Sequence, residues 1–171
     1  MLGKDYEGQD CALARALEVV GERWTLLIVR DAFFGVRRYN DFQAHLDIPK
    51  GVLSDRLSGL IEDGILDRRP DPHHAGRHLY QLTPAGTDLW PAISALLAWG
   101  SRHRHPSRLI FKHATCDTEL DDQGRCPTCD ATPDPDQIVT EPRPGRANSR
   151  SDPVAVALRT RHRLLQPIDA A

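Results

Sequence analysis

The chain has 171 residues, 40% hydrophobic and 27% charged, which leaves room for one ordinary domain plus an appendage and fits a soluble globular protein rather than a disordered or membrane one. No apolar run approaches the roughly 20 residues of a spanning helix, and residues 1–10 are polar without a signal-peptide core, so a cytoplasmic protein with no membrane partner is expected. The net charge of −2 conceals opposed segments: 13 basic against 14 acidic residues in 1–105, 3 against 8 in 106–141, and 6 against 2 in 142–171.

In chain order, Leu13, Ala16, Leu17 and Val20 recur at helical spacing, giving a helix with one apolar face, interrupted at Gly21. From Glu22 to Phe34 the apolar residues Trp24, Leu26, Leu27, Ile28, Val29, Ala32 and Phe33 surround the axis, which predicts a helix buried between others and stopped by Gly35. Tyr39, Phe42 and Leu46 mark a short third helix, followed by a turn at 47–49. Residues 50–64 form the clearest helix, with Leu53, Leu57, Leu60 and Ile61 on one stripe and Gly64 as its stop. Residues 65–69 and 78–82 read as strands joined by a Pro-, His- and Gly-containing loop, a hairpin. Thr83 and Pro84 open a helix that runs to about His103. Beyond a brief apolar stretch at 109–111 come a cysteine segment, a proline-rich stretch from Pro133 to Pro144 that reads as a linker, and a final basic helix over 154–165 capped by Asp152.

Three helices followed by a hairpin is the order of a winged helix-turn-helix, in which the third helix enters the major groove and the hairpin touches the flanking backbone. The fold class is therefore mainly α with a small β-hairpin (α+β), with extra helices for dimerisation and a C-terminal cysteine-containing extension. Residues 10–103 also resemble the HxlR-type regulators. The likeness rests on an early Cys11, Gly-x-Arg-Trp-Thr at 21–25, Arg-aromatic-x-x-Phe at 38–42, Leu-Ser-x-Arg-Leu at 53–57 and Leu-Tyr-Gln-Leu-Thr-Pro-Ala-Gly at 79–86. The resemblance implies a transcriptional regulator that binds a promoter inverted repeat in double-stranded DNA as a homodimer, under the control of a small-molecule effector or of thiol chemistry. The expected division is 1–105 for DNA binding and dimerisation, 106–141 for an acidic cysteine-containing extension, and 142–171 for a proline-rich linker and basic tail.

With so little net charge, DNA contacts have to come from local basic surface. On the helix from Lys50, the face opposite the leucine stripe starts at Gly51; Lys50 meets a phosphate, and Ser54 on the flank donates to a phosphate or base edge. Arg56 lies nearer the core edge and suits a structural ion pair as well as a DNA contact. Arg37 and Arg38 precede the motif where the DNA backbone passes, and Arg77 in the wing suits the minor groove or backbone. Trp24 is expected in the core, with an effector cleft near it and the dimer interface.

Cys11 stands at the start of the first helix, where the helix dipole favours a thiolate and the neighbouring Asp10 opposes it. Relatives in the family sense oxidants or electrophiles near this place, so Cys11 is either a redox-sensing thiol or a small packing residue. His113-x-x-Cys116 and Cys126-x-x-Cys129 have the two-residue spacing that aims two ligands at one tetrahedral ion. Structural zinc held by His113, Cys116, Cys126 and Cys129 and a set of unliganded surface thiols are both compatible with the residues, and no glycine follows the second pair. A thioredoxin-like role for Cys126 and Cys129 is disfavoured by Pro133 and Pro135, which forbid the helix it needs. The sequence shows no phosphate loop, nucleophile elbow or catalytic dyad, so no enzyme is expected. The alternative to DNA binding is a zinc-stabilised protein-interaction module built on a degenerate winged helix.

Overall fold

The computed structural model describes residues 6, 8–146 and 148–168, so the outermost parts of the first and last expected segments (1–5, 7 and 169–171) lie outside the described residues. The first half follows the apolar periodicity. Helices α1 (Ala12–Val20), α2 (Thr25–Phe33), α3 (Tyr39–Leu46) and α4 (Lys50–Glu62) precede an antiparallel hairpin of β1 (Leu66–Pro70) and β2 (His78–Leu82), with Leu66 opposite Leu82 and Pro70 opposite His78. The α4 stripe is buried at Leu53, Leu57 and Leu60 against Ile28, Phe33 and Phe42. Each buried leucine contributes about 1.5–3 kcal/mol, and this fixes which face of α4 is left outside. Gly64 adopts a positive φ of 69° and ends the helix as expected.

The predicted helix over 84–103 is broken in two, α5 (Pro84–Thr87) and α6 (Trp90–His103). Thr83 caps the first by accepting from Gly86 N–H at 3.1 Å. Pro91 explains the break, because it has no N–H to give and its ring would collide with the carbonyl four residues back. The restart seats Trp90 in the core, its ring 5.1 Å from Phe33 and 5.5 Å from Phe111.

The second half departs from expectation. Residues 133–144 are not a linker: a 3-10 turn (Pro135–Gln137) leads into β4 (Ile138–Pro142), which pairs antiparallel with β3 (Leu109–His113) and buries Ile138, Val139 and Thr140. The prolines stand outside or at the end of a β-branched run that needs a sheet to cover it. The final helix is likewise shorter than expected. Asp152 does cap it, but α7 ends at Ala157, and His162–Arg163 form β5, the third strand of the β3-β4-β5 sheet. The tail then returns to the end of α2: Leu165 N–H donates to Phe33 carbonyl at 2.7 Å and Ile168 N–H to Gly35 carbonyl at 3.0 Å. Gly35 has φ of 86°, and a Cβ there would sit 1.6 Å from the Gln166 carbonyl oxygen, so glycine serves both the turn and the close approach of the tail. Among the described residues no helix is long and apolar enough to cross a membrane.

Candidate nucleic-acid interface and metal centre

Burial of the leucine stripe leaves Lys50, Gly51, Ser54, Asp55 and Ser58 exposed on α4. The start of this helix is held by a residue whose polar end the periodicity did not single out: Tyr39 donates its hydroxyl to the Lys50 carbonyl at 2.8 Å and lies 3.1 Å from Ser54 Oγ. Ser54 is thus oriented from behind. Arg77 is exposed in the wing loop. The loop is tied down by Asp71, whose buried carboxylate accepts from His73 N–H at 2.8 Å and lies 3.1 Å from His74 Nδ1 and 3.5 Å from Arg38 Nε. The His73 N–H, with help from His74 and Arg38, holds that carboxyl below its usual range despite its burial.

The remaining arginines already have internal partners. Arg38 reaches Asp71, Arg37 donates to the Leu165 carbonyl at 3.2 Å, and Arg56 lies 3.7 Å from Glu22, the structural pairing open to it from the sequence. Trp24 is half-buried against the core with Arg23 over its ring. Cys11 is exposed at the N-cap of α1 and, among the described residues, belongs to no group of potential metal ligands.

His113, Cys116, Cys126 and Cys129, sixteen residues apart at the extremes, converge: their ligand atoms all lie within 4.8 Å of one another. Cys116 Sγ is 3.3 Å from Cys126 Sγ, 3.5 Å from Cys129 Sγ and 3.5 Å from His113 Nδ1. These separations are far beyond a disulfide bond and close to the roughly 3.8 Å between sulfurs of a tetrahedral zinc site. His113 ends β3 and is buried; Cys126 is fully buried and its N–H donates to Ala131 carbonyl at 2.8 Å. The tight turns are made without the missing glycine. Asp117 and Asp130, each directly after the second ligand of its pair, adopt positive φ of 58° and 51°, a conformation short polar side chains tolerate. Asp121 accepts from Gln123 N–H and Arg125 N–H, closing the intervening loop.

The thiols feel one another. The Thr118 hydroxyl and N–H draw Cys116 down to about 6, while the contact with Cys116 pushes Cys129 up to about 11. One thiolate therefore suppresses its neighbour, and a divalent cation is what lets a set like this ionise together. Three sulfurs and one imidazole nitrogen, with no fifth donor among the described residues, could hold a metal ion in a closed, structural manner. Outside the cluster, Asp117 pairs with Arg161 and with Lys112 (3.2 Å), and Glu141 with Lys112 (3.1 Å) and Arg161. Arg161, expected on a free basic helix, is instead tied to the cluster's edge.

A second buried centre escaped the sequence. Asp31 is fully buried on α2 with Arg30 at 2.6 Å, and His45 of α3 lies 4.0 Å from it and 2.7 Å from Asp152, the α7 cap. Desolvation raises the Asp31 pKa against the pull of Arg30 and His45. The signal was weak, since an Asp inside an apolar helix reads as one polar face until its partners, 14 and 121 residues away, are in place.

Comparison with known proteins agrees with this geometry. The sequence profile of the HxlR-like helix-turn-helix family matches residues 19–108. An uncharacterized HTH-type transcriptional regulator of Mycobacterium tuberculosis is 42% identical over 147 residues, covering 84% of this chain and 92% of its own. A match of that length in 171 residues necessarily runs through the cysteine segment. Among solved structures, PA1607, a candidate transcription factor, superposes with a TM-score of 0.55 at 36% identity, over 58% of this chain and 69% of its own. The reduced form of the redox regulator HypR gives 0.51 at 27% identity, over 55% of this chain and 94% of its own. The chain belongs to the HxlR-like helix-turn-helix family and is a winged-helix, DNA-binding transcriptional regulator.

Proposed function

We propose that this regulator binds a promoter inverted repeat as a homodimer, with Lys50, Gly51 and Ser54 of α4 facing the major groove and Arg77 of the wing reaching the flanking backbone. The observation that carries the reading is the polar, exposed start of α4 on a helix whose opposite face is locked in the core and whose first turn is held by Tyr39. Arg37, Arg38 and Arg56 keep the motif in register through their internal partners, and a guanidinium, with five N–H groups, can serve an internal partner and a phosphate together. Dimerisation is supported by Leu13, 66% exposed on α1, and Trp99, 51% exposed on α6, with Leu17 and Leu96 beside them; a monomer has no use for so much exposed apolar surface on two helices. His113, Cys116, Cys126 and Cys129 hold structural zinc that staples the extension. Cys11, exposed and outside that cluster, is the thiol available to redox control, and HypR, a similar protein, is a redox regulator. The protein acts by binding and not by catalysis, in the cytoplasm.

The experiment is selection of bound duplexes from a random pool, followed by anisotropy titration of the enriched sequence at several salt concentrations. A palindromic site is expected, with affinity falling steeply with salt as phosphate contacts release counterions, and sedimentation should give a dimer at micromolar concentration. No enrichment by a folded, zinc-loaded protein would favour the interaction-module reading, and a monomer bound to a single half-site would overturn the dimer.

A further inference from the structure

A cavity of about 790 Å³ lies where the winged-helix core meets the extension, walled by α2, α3, α6, β3 and the segments around residues 146 and 159. Trp24 is not among its lining residues. Its size falls in the range of small-molecule sites, roughly 300–1,000 Å³. One part of its lining is apolar: Phe34 and Phe111 with rings nearly parallel at 10° and centroids 6.5 Å apart, Leu97 and Leu158. The other part is cationic, with Arg30, Arg108, Arg146 and Arg159, and among the described residues no carboxylate side chain lines it. Arg30 is held by Asp31. Among the described residues, Arg108, Arg146 and Arg159 have no carboxylate partner; Arg159 donates to the Arg150 carbonyl at 2.6 Å and Arg108 to Asn148 at 3.4 Å.

From this lining we infer that the cavity binds a small carboxylate carrying an apolar, ring-sized body, and that this ligand regulates DNA affinity. A chain of net charge −2 that gathers four arginines around one apolar hollow incurs like-charge repulsion that an anion relieves, and guanidinium groups match a carboxylate in two-point geometry. An inorganic anion would leave the half-buried Phe111, Leu97 and Leu109 uncovered, and a neutral ring would leave the arginines unanswered. The route to DNA is short. Arg30 lines the cavity and donates to Asp31 Oδ1 at 2.6 Å, His45 of α3 also lines the cavity and lies near Asp31 and Asp152, and α3 begins with Tyr39, which holds the first turn of α4. A carboxylate that draws Arg30 away from Asp31 perturbs the helix that positions the DNA-reading one.

The regulatory half rests on the DNA-binding reading above, whereas the site itself does not, so the two are measured apart. The full-length, metal-replete protein is titrated with 2-naphthoate by calorimetry without DNA, and DNA affinity is then measured with and without saturating 2-naphthoate. Saturable binding to one site per chain is expected, weakened roughly tenfold or more in 2-naphthamide and in the Arg108→Gln/Arg146→Gln double variant, which loses charge-assisted contacts at exposed positions. Leu97→Trp, which fills the hollow without altering charge, should weaken it comparably. A shift in DNA affinity that disappears in these variants supports the regulatory half. Absence of 2-naphthoate binding at millimolar concentration, or binding indifferent to all three changes, overturns the site even if DNA binds normally. Binding that leaves DNA affinity unmoved overturns the regulation. A protein that takes 2-naphthoate as described but no DNA supports the site and counts against the DNA-binding reading.

Discussion

The winged-helix half and the extension are stabilised by different means. Residues 12–103 bury continuous apolar stripes, so Leu53, Leu57, Leu60, Ile28, Phe33 and Phe42 form a core from helices adjacent in sequence. The extension adds a short sheet and joins the same core through Ile138, Val154, Leu158 and Leu164, but around its cysteines it relies on side-chain chemistry: four converging atoms able to hold a metal and an ion-pair net of Lys112, Asp117, Glu141 and Arg161. A segment too small to bury enough apolar surface needs such staples. Relatives differ in how much of this chain they share, HypR being covered over 94% of its length by 55% of it and the Mycobacterium tuberculosis regulator spanning 84% of it.

Removing the staple should give the largest effect. Structural zinc in small modules is worth roughly 10–16 kcal/mol at pH 7, so purified protein should carry one zinc per chain, and Cys126→Ser should lose it. Hydrogen exchange is then expected to show residues 113–131 unprotected while α2 to α4 keep their protection. The pH dependence has a definite sign: ligands must be deprotonated to hold the ion, so retention is complete at neutral pH and fails as pH falls. Elemental analysis finding no zinc in protein made under reducing, metal-replete conditions would end the metal reading.

The same split governs what could be read from the sequence. Spacing three and four apart was enough for α1 to α4, and turn residues for the hairpin, because each element is specified by its own residues. The His-Cys spacing was legible too, although the role of Asp117 and Asp130 as the left-handed turn residues was not, since αL tolerance at Asp is a fact about local backbone and not about pattern. What failed was non-local. Ile138 to Thr140 looked like part of a proline-rich linker, and residues 158–163 continued a helical pattern, until pairing of β4 with β3 and β5 overrode local preference. The Asp31, His45 and Asp152 contact, and the cavity beside it, require three distant segments to be folded first.

The tail sharpens the comparison, because it belongs by sequence to the extension and by packing to the core. Gly35→Ala tests this. A positive φ costs a non-glycine residue about 1–2 kcal/mol, and the added Cβ meets the Gln166 carbonyl, so the tail must undock or the turn must move. A loss of about 3 kcal/mol in chemical denaturation is expected, with the 162–168 segment becoming susceptible to protease before the rest. A loss under 1 kcal/mol with the tail still protected would mean that the docking is not set by this glycine.

Asp152→Ala should be milder. Asp152 accepts from Ala155 N–H at 2.9 Å as the cap of α7 and meets His45; loss of such a cap costs about 1 kcal/mol. Burial alone would raise its pKa, but the Ala155 N–H, Arg150 and His45 bring it down to about 2. A depressed carboxyl stabilises the fold above its unfolded value near ~4, and that contribution is lost as pH falls from there through about 2. Protection at α7, corrected for the intrinsic pH dependence of amide exchange, should therefore fall over this window in the native protein and stay level there in the variant; a parallel fall in both would assign the effect to other carboxylates.

The smallest expected effect separates the cations of the two regions in DNA binding. Lys50 is exposed at the start of α4 with its ammonium available to a phosphate, whereas Arg161 in the basic tail already faces Asp117 and Glu141. A single phosphate contact changes the slope of log affinity against log salt by about one, so Lys50→Ala should flatten that slope by about this amount and weaken binding a few-fold near physiological salt. Arg161→Ala should leave the slope unchanged, because a cation neutralised within the protein releases no DNA counterion. The two variants are compared by anisotropy on one duplex across a salt series. If Arg161→Ala flattens the slope as much as Lys50→Ala does, the tail reaches DNA and its ion pairs give way on binding; if only Lys50→Ala does, the basic charge of the tail serves the extension and the α4 start carries the contact.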